Sequence, residues 1–178
     1  MSKLIVIAGL PATGKSTLAE GLARQLALPL FSVDPIESAI IKSGIGRSFE
    51  TGLAAYRVAE SLAGEHLKLG LSVIIDAVSP VKEARDMWHQ LAREYRAELI
   101  IIECRLDAHI HKKRVEDRVR NLHGIPEVTW EDIEQRRAEY LPWQEEVLIV
   151  DTANAIQDNL AKVLNHIHAT HHKKQTKA

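Results

Sequence analysis

The stretch Gly9-Leu10-Pro11-Ala12-Thr13-Gly14-Lys15-Ser16 constrains this chain more than any other: it fits the phosphate-binding pattern GxxxxGK[ST] and follows directly on an apolar run, Leu4 to Ala8. A buried strand that ends in such a turn and continues into a helix presents successive backbone N–H groups to an anion at the helix N-terminus. In that setting Lys15 neutralises the β- and γ-phosphates of a nucleoside triphosphate. The Ser16 hydroxyl holds Mg²⁺, a hard cation that takes one or two protein oxygens and otherwise keeps water and phosphate ligands. The bland alternative is a glycine-rich turn without a ligand. Gly14 and Lys15, however, both fall where phosphate binding requires them.

Three further apolar runs, Val73 to Ile75, Leu99 to Ile102 and Val147 to Val150, and a weaker one, Pro29 to Val33, read as parallel strands buried on both faces. Between them the period is helical. In Ser16 to Ala27, Leu18, Leu22 and Leu26 recur every four residues, with Ala19 and Ala23 thickening the stripe. Other helices are expected at Pro35 to Lys42, Leu53 to Leu69, Pro80 to Tyr95, Ala108 to Leu122, Trp130 to Tyr140 behind the cap Thr129, and Ile156 to His168. Strand alternating with helix predicts an α/β fold. The expected organisation is one domain over 1–169 and a flexible tail at 170–178.

With 23 basic against 24 acidic residues and a net charge of −1, the whole chain carries no electrostatic mark of a nucleic-acid or membrane binder. Cys104, the single cysteine, closes an apolar run and reads as a small core residue in a reducing compartment. Residues 1 to 8 lack the basic start of a signal peptide, and no run approaches the length of a membrane span, so a cytoplasmic protein is expected. His168 and His172 have metal-compatible spacing, but beside Lys173, Lys174 and Lys177 they read as a solvated terminus.

In an open parallel sheet the ligand sits beyond the carboxyl ends of the strands. Two of those exits carry carboxylates, Asp34 and Asp76. Asp34 suits a base that orients an acceptor hydroxyl and takes its proton. With Pro35 and Glu37 it equally suits an N-cap followed by a proline at the first helical position and an acid at the third. Asp76 suits Mg²⁺, the alternative being a loop carboxylate beside Ser79-Pro80. Arg114 and Arg118, four apart, either clamp phosphates or lie on a solvated helix face beside Glu116 and Asp117. Val115, Val119 and Leu122 form a neighbouring apolar stripe. Tyr56, Arg57 and Glu60 lie on a helix able to line an acceptor pocket.

The segments GLPATGKSTLAEGLARQL, SVDPIESAI, VIIDAVSP and KKRVEDRVR, in this order, resemble the phosphate-loop kinase superfamily. The likeness is to the branch with polynucleotide 5′-kinases, zeta toxins and chloramphenicol phosphotransferases. It runs to about Ile167, though only the phosphate loop is a highly specific motif. The resemblance implies a three-layer αβα sandwich, a five-stranded parallel sheet of order 2-3-1-4-5 and a helical lid at about 105–128. It implies ATP as donor, Lys15 and Ser16 on phosphate and Mg²⁺, and Asp34 as base. It also implies lid roles for Arg114 and Arg118, Thr17 near the α-phosphate, Asn154 in the loop near adenine, and a substrate role for Arg85. Polynucleotide kinases carry an arginine three residues after the catalytic aspartate, whereas this chain has Glu37. An acid there disfavours a nucleic-acid or phosphorylated acceptor and favours a small hydroxylated one. A regulatory ATPase without a separate acceptor is the other class of function.

Overall fold

The computed structural model describes the backbone of residues 1–175 and the side chains of residues 1–169. The chain runs β1 (Lys3–Ala8), α1 (Lys15–Leu26), β2 (Leu30–Ser32), α2 (Val33–Lys42), α3 (Phe49–Lys68), β3 (Val73–Asp76), α4 (Lys82–Glu94), β4 (Glu98–Arg105), α5 (Ala108–Glu116), α6 (Trp130–Glu139), β5 (Leu148–Asp151) and α7 (Ile156–Gln175). Of the expected tail, the backbone of 170–175 continues α7, while the side chains beyond 169, His172 among them, and residues 176–178 lie outside the described residues.

The five strands form one parallel sheet in the order β2-β3-β1-β4-β5, as the resemblance implied. β1 lies at its centre and is apolar on both faces because helices cover both. Leu4 and Val6 pack with Ala55, Ala59 and Ala63 of α3 and Trp88 of α4. Ile5 and Ile7 face Leu18 and Leu22 of α1 and Leu160 and Val163 of α7. Leu4, Val6, Ile5 and Ile7 are fully buried, and each such side chain contributes about 1.5–3 kcal/mol of transfer free energy. Cys104 is buried in the second of these layers, and burial pushes its thiol up to about 12, so it packs rather than reacts.

Two element boundaries depart from expectation in ways that matter for function. α5 ends at Glu116 instead of reaching Leu122. Val119 is consequently 74% exposed and contributes nothing to an apolar stripe. α3 begins at Phe49, four residues early, because Ser48 and Thr51 close a capping box that the glycines at 44, 46 and 52 conceal. Thr129 caps α6 as expected, reciprocally with Asp132.

Parallel pairing decides where the functional residues go. Ser32 is in register with Asp76, Asp76 with Ile7, Ala8 with Glu103, and Arg105 with Asp151, so the strands end along one edge of the sheet. Ala55, Ala59 and Ala63 let α3 approach that sheet closely, and none of the three has accessible surface. Ala59→Leu is expected to overpack the layer and destabilise the fold by about 1–3 kcal/mol in urea unfolding. An unchanged unfolding midpoint would mean that α3 stands off the sheet.

Candidate active site

The phosphate loop leaves β1 at Gly9, whose φ is 135° and where a Cβ would lie 2.5 Å from the Cys104 carbonyl oxygen. Only glycine fits there. Gly14 caps α1 in the left-handed region at φ 86°. Between them Thr13 N donates to Leu10 O at 3.3 Å, and Lys15 Nζ donates to the same carbonyl at 3.0 Å. Lys15 is only 8% exposed. Burial pulls its ammonium below the ordinary lysine range, while Asp76 and then Asp34 oppose the shift. The loop is also held from behind. Thr152 Oγ1 donates to Thr13 O at 2.7 Å, and His111 Nε2 donates to Pro11 O at 2.7 Å. Arg137 Nη2 donates to His111 Nδ1 at 3.3 Å, which leaves the neutral ring its proton on Nε2.

Ser16 Oγ donates to Asp76 Oδ2 at 2.7 Å, and Ser32 Oγ approaches the same oxygen at 3.3 Å. Hydroxyl and carboxylate oxygens thus meet beside the loop at the end of β3, a hard donor set of the size Mg²⁺ takes when phosphates supply the remaining ligands. No group of three or more His, Cys, Asp or Glu gathers as a metal cage among the described residues.

A cavity of about 550 Å³ opens on the helix side of the loop. Lys15, Ser16 and Thr17 line it from α1, Arg114 and Arg118 from the lid, and Asn154 from the loop after β5. These expected residues are therefore brought together. Arg114 is anchored, donating through Nη2 to Thr152 O at 2.7 Å. Arg118 lies beyond the end of α5, so the two arginines converge by a turn of the chain and not by helical spacing. Arg118 Nη1 is buried without a hydrogen-bond partner among the described residues. Burial, and then Arg120, pull the guanidinium below the ordinary arginine range, with Asp34 opposing.

Asp34 lies in a second cavity of about 200 Å³, together with Glu37, Arg47, Arg120 and Arg136, and Arg118 lines this cavity too. The capping role expected for Asp34 does not survive. α2 starts at Val33, directly after β2, with Ser32 at the N-cap position and no side-chain cap. Pro35 still sits within the first turn, where its missing N–H costs no helical bond. Freed from capping, Asp34 Oδ2 pairs with Arg120 Nη1 at 2.6 Å.

Two further expected substrate residues lie elsewhere. Arg85 is 7% exposed and donates to the carbonyls of Ser79 (3.0 Å), Pro142 (3.0 Å) and Leu141 (2.6 Å), its guanidinium stacked 4.0 Å over the Trp143 ring. Arg57 is exposed and pairs with Glu60 at 2.8 Å. Tyr56, on the preceding position of α3, points inward: its hydroxyl accepts from Ser79 N at 3.1 Å, and burial pushes it up to about 12. Arg47 and Arg136 carried no motif, Arg120 closes the segment KKRVEDRVR without having been singled out, and nothing in the local pattern marks the three as neighbours.

Residues 4–143 match the AAA domain family. The chain is 28% identical over 144 residues to the bifunctional polynucleotide phosphatase/kinase of Schizosaccharomyces pombe; the match covers 75% of this chain but only 29% of that relative's length. A crystal structure from Chloroflexus aurantiacus J-10-fl, described as that of a candidate kinase, superposes with a TM-score of 0.76 at 26% identity, over 93% of this chain and 98% of that one. The APS kinase of Mycobacterium tuberculosis, solved with AMPPNP and APS, superposes with a TM-score of 0.70 at 16% identity, over 94% and 98% of the two chains. At that identity the second likeness speaks for the fold.

The contacts of Arg85 predict a stability effect. Arg85→Met removes three charge-assisted bonds at once and is expected to cost about 2–4 kcal/mol in thermal or urea unfolding. ATP affinity at a temperature where the variant is folded should stay within twofold. A stable variant with a raised acceptor KM would instead make Arg85 a substrate ligand.

Proposed function

We propose, for a chain that belongs to the AAA domain family, that it is an ATP- and Mg²⁺-dependent phosphotransferase that moves the γ-phosphoryl group to a hydroxyl of a small molecule, such as a sugar, a sugar acid, an antibiotic or a nucleoside. The observation that carries this reading is the meeting of two cavities at one arginine. The larger is lined by Lys15, Ser16 and Thr17, the smaller holds Asp34, and Arg118 lines both.

In the proposed reaction the acceptor hydroxyl gives its proton to the Asp34 carboxylate while its oxygen attacks the γ-phosphorus. A new O–P bond forms, the bond from the γ-phosphorus to the β–γ bridging oxygen breaks, and ADP leaves. Lys15 and Arg118 offset the charge that spreads over the transferred group. The Lys15 ammonium and Arg118 Nη1 are already buried at the site, so little reorganisation accompanies the step. Mg²⁺, held by Ser16 and Asp76, would supply further neutralisation of the phosphates. Asn154 would lie against the base, and Thr17 near the α-phosphate.

The likeness to the Schizosaccharomyces pombe enzyme favours a second reading, a nucleic-acid 5′-hydroxyl as acceptor. Against it stands the net charge of −1, which gives the chain as a whole no electrostatic mark of a nucleic-acid binder. A regulatory ATPase would leave the cavity of Asp34 without a task.

ATP consumption with Mg²⁺ against sugars, sugar acids, nucleosides, antibiotics and 5′-hydroxyl oligonucleotides tests the reading. One acceptor class should stimulate turnover. Asp34→Asn should lower that stimulated kcat by at least about 100-fold, with a nearly unchanged melting temperature, because the amide keeps the shape but loses the base. Turnover that survives in the variant would remove Asp34 from the chemistry. For Arg118→Ala, kcat should fall more than the ATP KM rises, as expected of a contact completed in the transition state. An effect confined to KM would make Arg118 a ground-state ligand only.

A further inference from the structure

The 200 Å³ cavity around Asp34 is lined by four arginines and four acids, and only one arginine, Arg120, is ion-paired with one of those acids. Asp34 accepts from Arg120 at 2.6 Å. Glu127 Oε1 accepts from the backbone N–H of Arg120. Asp132 Oδ2 accepts from Thr129 N at 2.8 Å and Thr129 Oγ1 at 3.1 Å in the α6 capping box. Glu37 Oε1 stands 3.5 Å from Thr51 Oγ1. Each acid thus has a neighbouring donor from within the protein.

The arginines are not matched in the same way. Arg47 and Arg136 are near enough to Asp132 to help hold its carboxyl low, behind the two Thr129 bonds, yet neither forms an ion pair with it or with another acid among the described residues. Arg118 adds a buried nitrogen without a partner among the described residues. Guanidinium groups from three separate segments, residue 47 before α3, residues 118 and 120 after α5, and residue 136 on α6, therefore converge on one small cavity. Planar forks of this kind match carboxylate and phosphate oxygens two at a time. Glu37 alone argues against an anionic acceptor. The four guanidinium groups of the lining offset it and the other three acids, so the cavity as a whole is not acidic.

We propose that this cavity is a subsite for an anionic group on the acceptor, a carboxylate or a phosphate-type oxyanion, held by Arg47 and Arg136 while the hydroxyl to be phosphorylated lies at Asp34. The inference rests on the kinase reading of that cavity and narrows it: the acceptor is a hydroxylated acid or ester and not a neutral polyol. It also gives the Asp34–Arg120 pair a purpose. Asp34 shares an oxygen with Arg120 in this structure, and an acceptor anion offers Arg120 a competing partner, which releases the carboxylate to meet the hydroxyl.

The test uses the full chain saturated with Mg²⁺ and a non-hydrolysable ATP analogue, so that the phosphate loop is filled, with inorganic phosphate and malonate as probes and glucose as the neutral control. The melting temperature should rise saturably with at least one anion and not with glucose. In the double variant Arg47→Gln/Arg136→Gln the anion midpoint should weaken at least fivefold, with the midpoint for the ATP analogue unchanged. A lower midpoint for malonate assigns the subsite to a carboxylate, and a lower one for phosphate assigns it to an oxyanion ester. No saturable response, or one that is the same in the double variant, overturns the proposal. Failure of the kinase reading has a different signature: the anion response persists while no acceptor stimulates ATP consumption.

Discussion

Everything at the site depends on the parallel pairing of β1 with β3 on one side and β4 on the other. Because the strands run the same way, each delivers its C-terminal end to one edge: Asp76 level with Ile7, Glu103 level with Ala8. The loop then has to pass over the end of β4, and the Cys104 carbonyl leaves no room for a side chain at Gly9. A shift of one residue in the β1–β3 register would exchange the two faces of β3 and carry Asp76 away from Ser16. The fully buried aliphatic residues on alternate faces of β1 hold that register, so the core sets the chemistry by fixing which atoms meet at its rim.

At that rim the protein buries more charge than an ordinary surface cluster. Lys15 is held by the Leu10 carbonyl with Asp76 and Asp34 as its opposite charges, and Arg118 hides one nitrogen with no acceptor among the described residues. Leaving a charged donor buried and unbonded is costly. Such cost is tolerable where a polyanion repays it, and the two cavities that share Arg118 are where one would sit. The neutral His111 ring serves the same arrangement from behind: it ties the loop to α5 without adding a further cation near Lys15.

Local signals and long-range assembly account for what could be read from the sequence. The strands and the phosphate loop were legible because each is written in a handful of consecutive residues: a doubly buried strand is a continuous apolar run, and an anion loop needs its glycines and lysine at fixed offsets. Strand exits then located Asp34 and Asp76. What failed depended on tertiary context. Asp34 reads as a cap only if β2 and α2 are separated by a loop, whereas here the helix begins at the residue after the strand. Arg114 and Arg118 line one cavity, but not through helical spacing, since the helix stops between them and the turn supplies the convergence. Arg85 has the residue type of a phosphate ligand, yet the carbonyls of 141 and 142, more than fifty residues away, capture it. The guanidinium groups at 47, 120 and 136 meet only because α3, the lid and α6 fold over the same strand end, and no spacing along the chain encodes that.

The early stop of α5 is the local feature through which these parts are coupled. Had the helix continued to Leu122, residue 119 would have packed inward and residues 118 and 120 would have pointed to different sides of one cylinder. Once the chain turns at Asp117, Val119 is exposed, and both Arg118 and Arg120 face the cavity of Asp34. The turning segment is tied down at its far end, where Ser38 Oγ of α2 donates to His123 O at 3.0 Å, and at its near end, where Arg114 grips Thr152. Thr152 in turn donates to Thr13 in the phosphate loop. One run of hydrogen bonds thus links the element that carries Asp34, the lid that carries its partner arginine and the loop that binds phosphate.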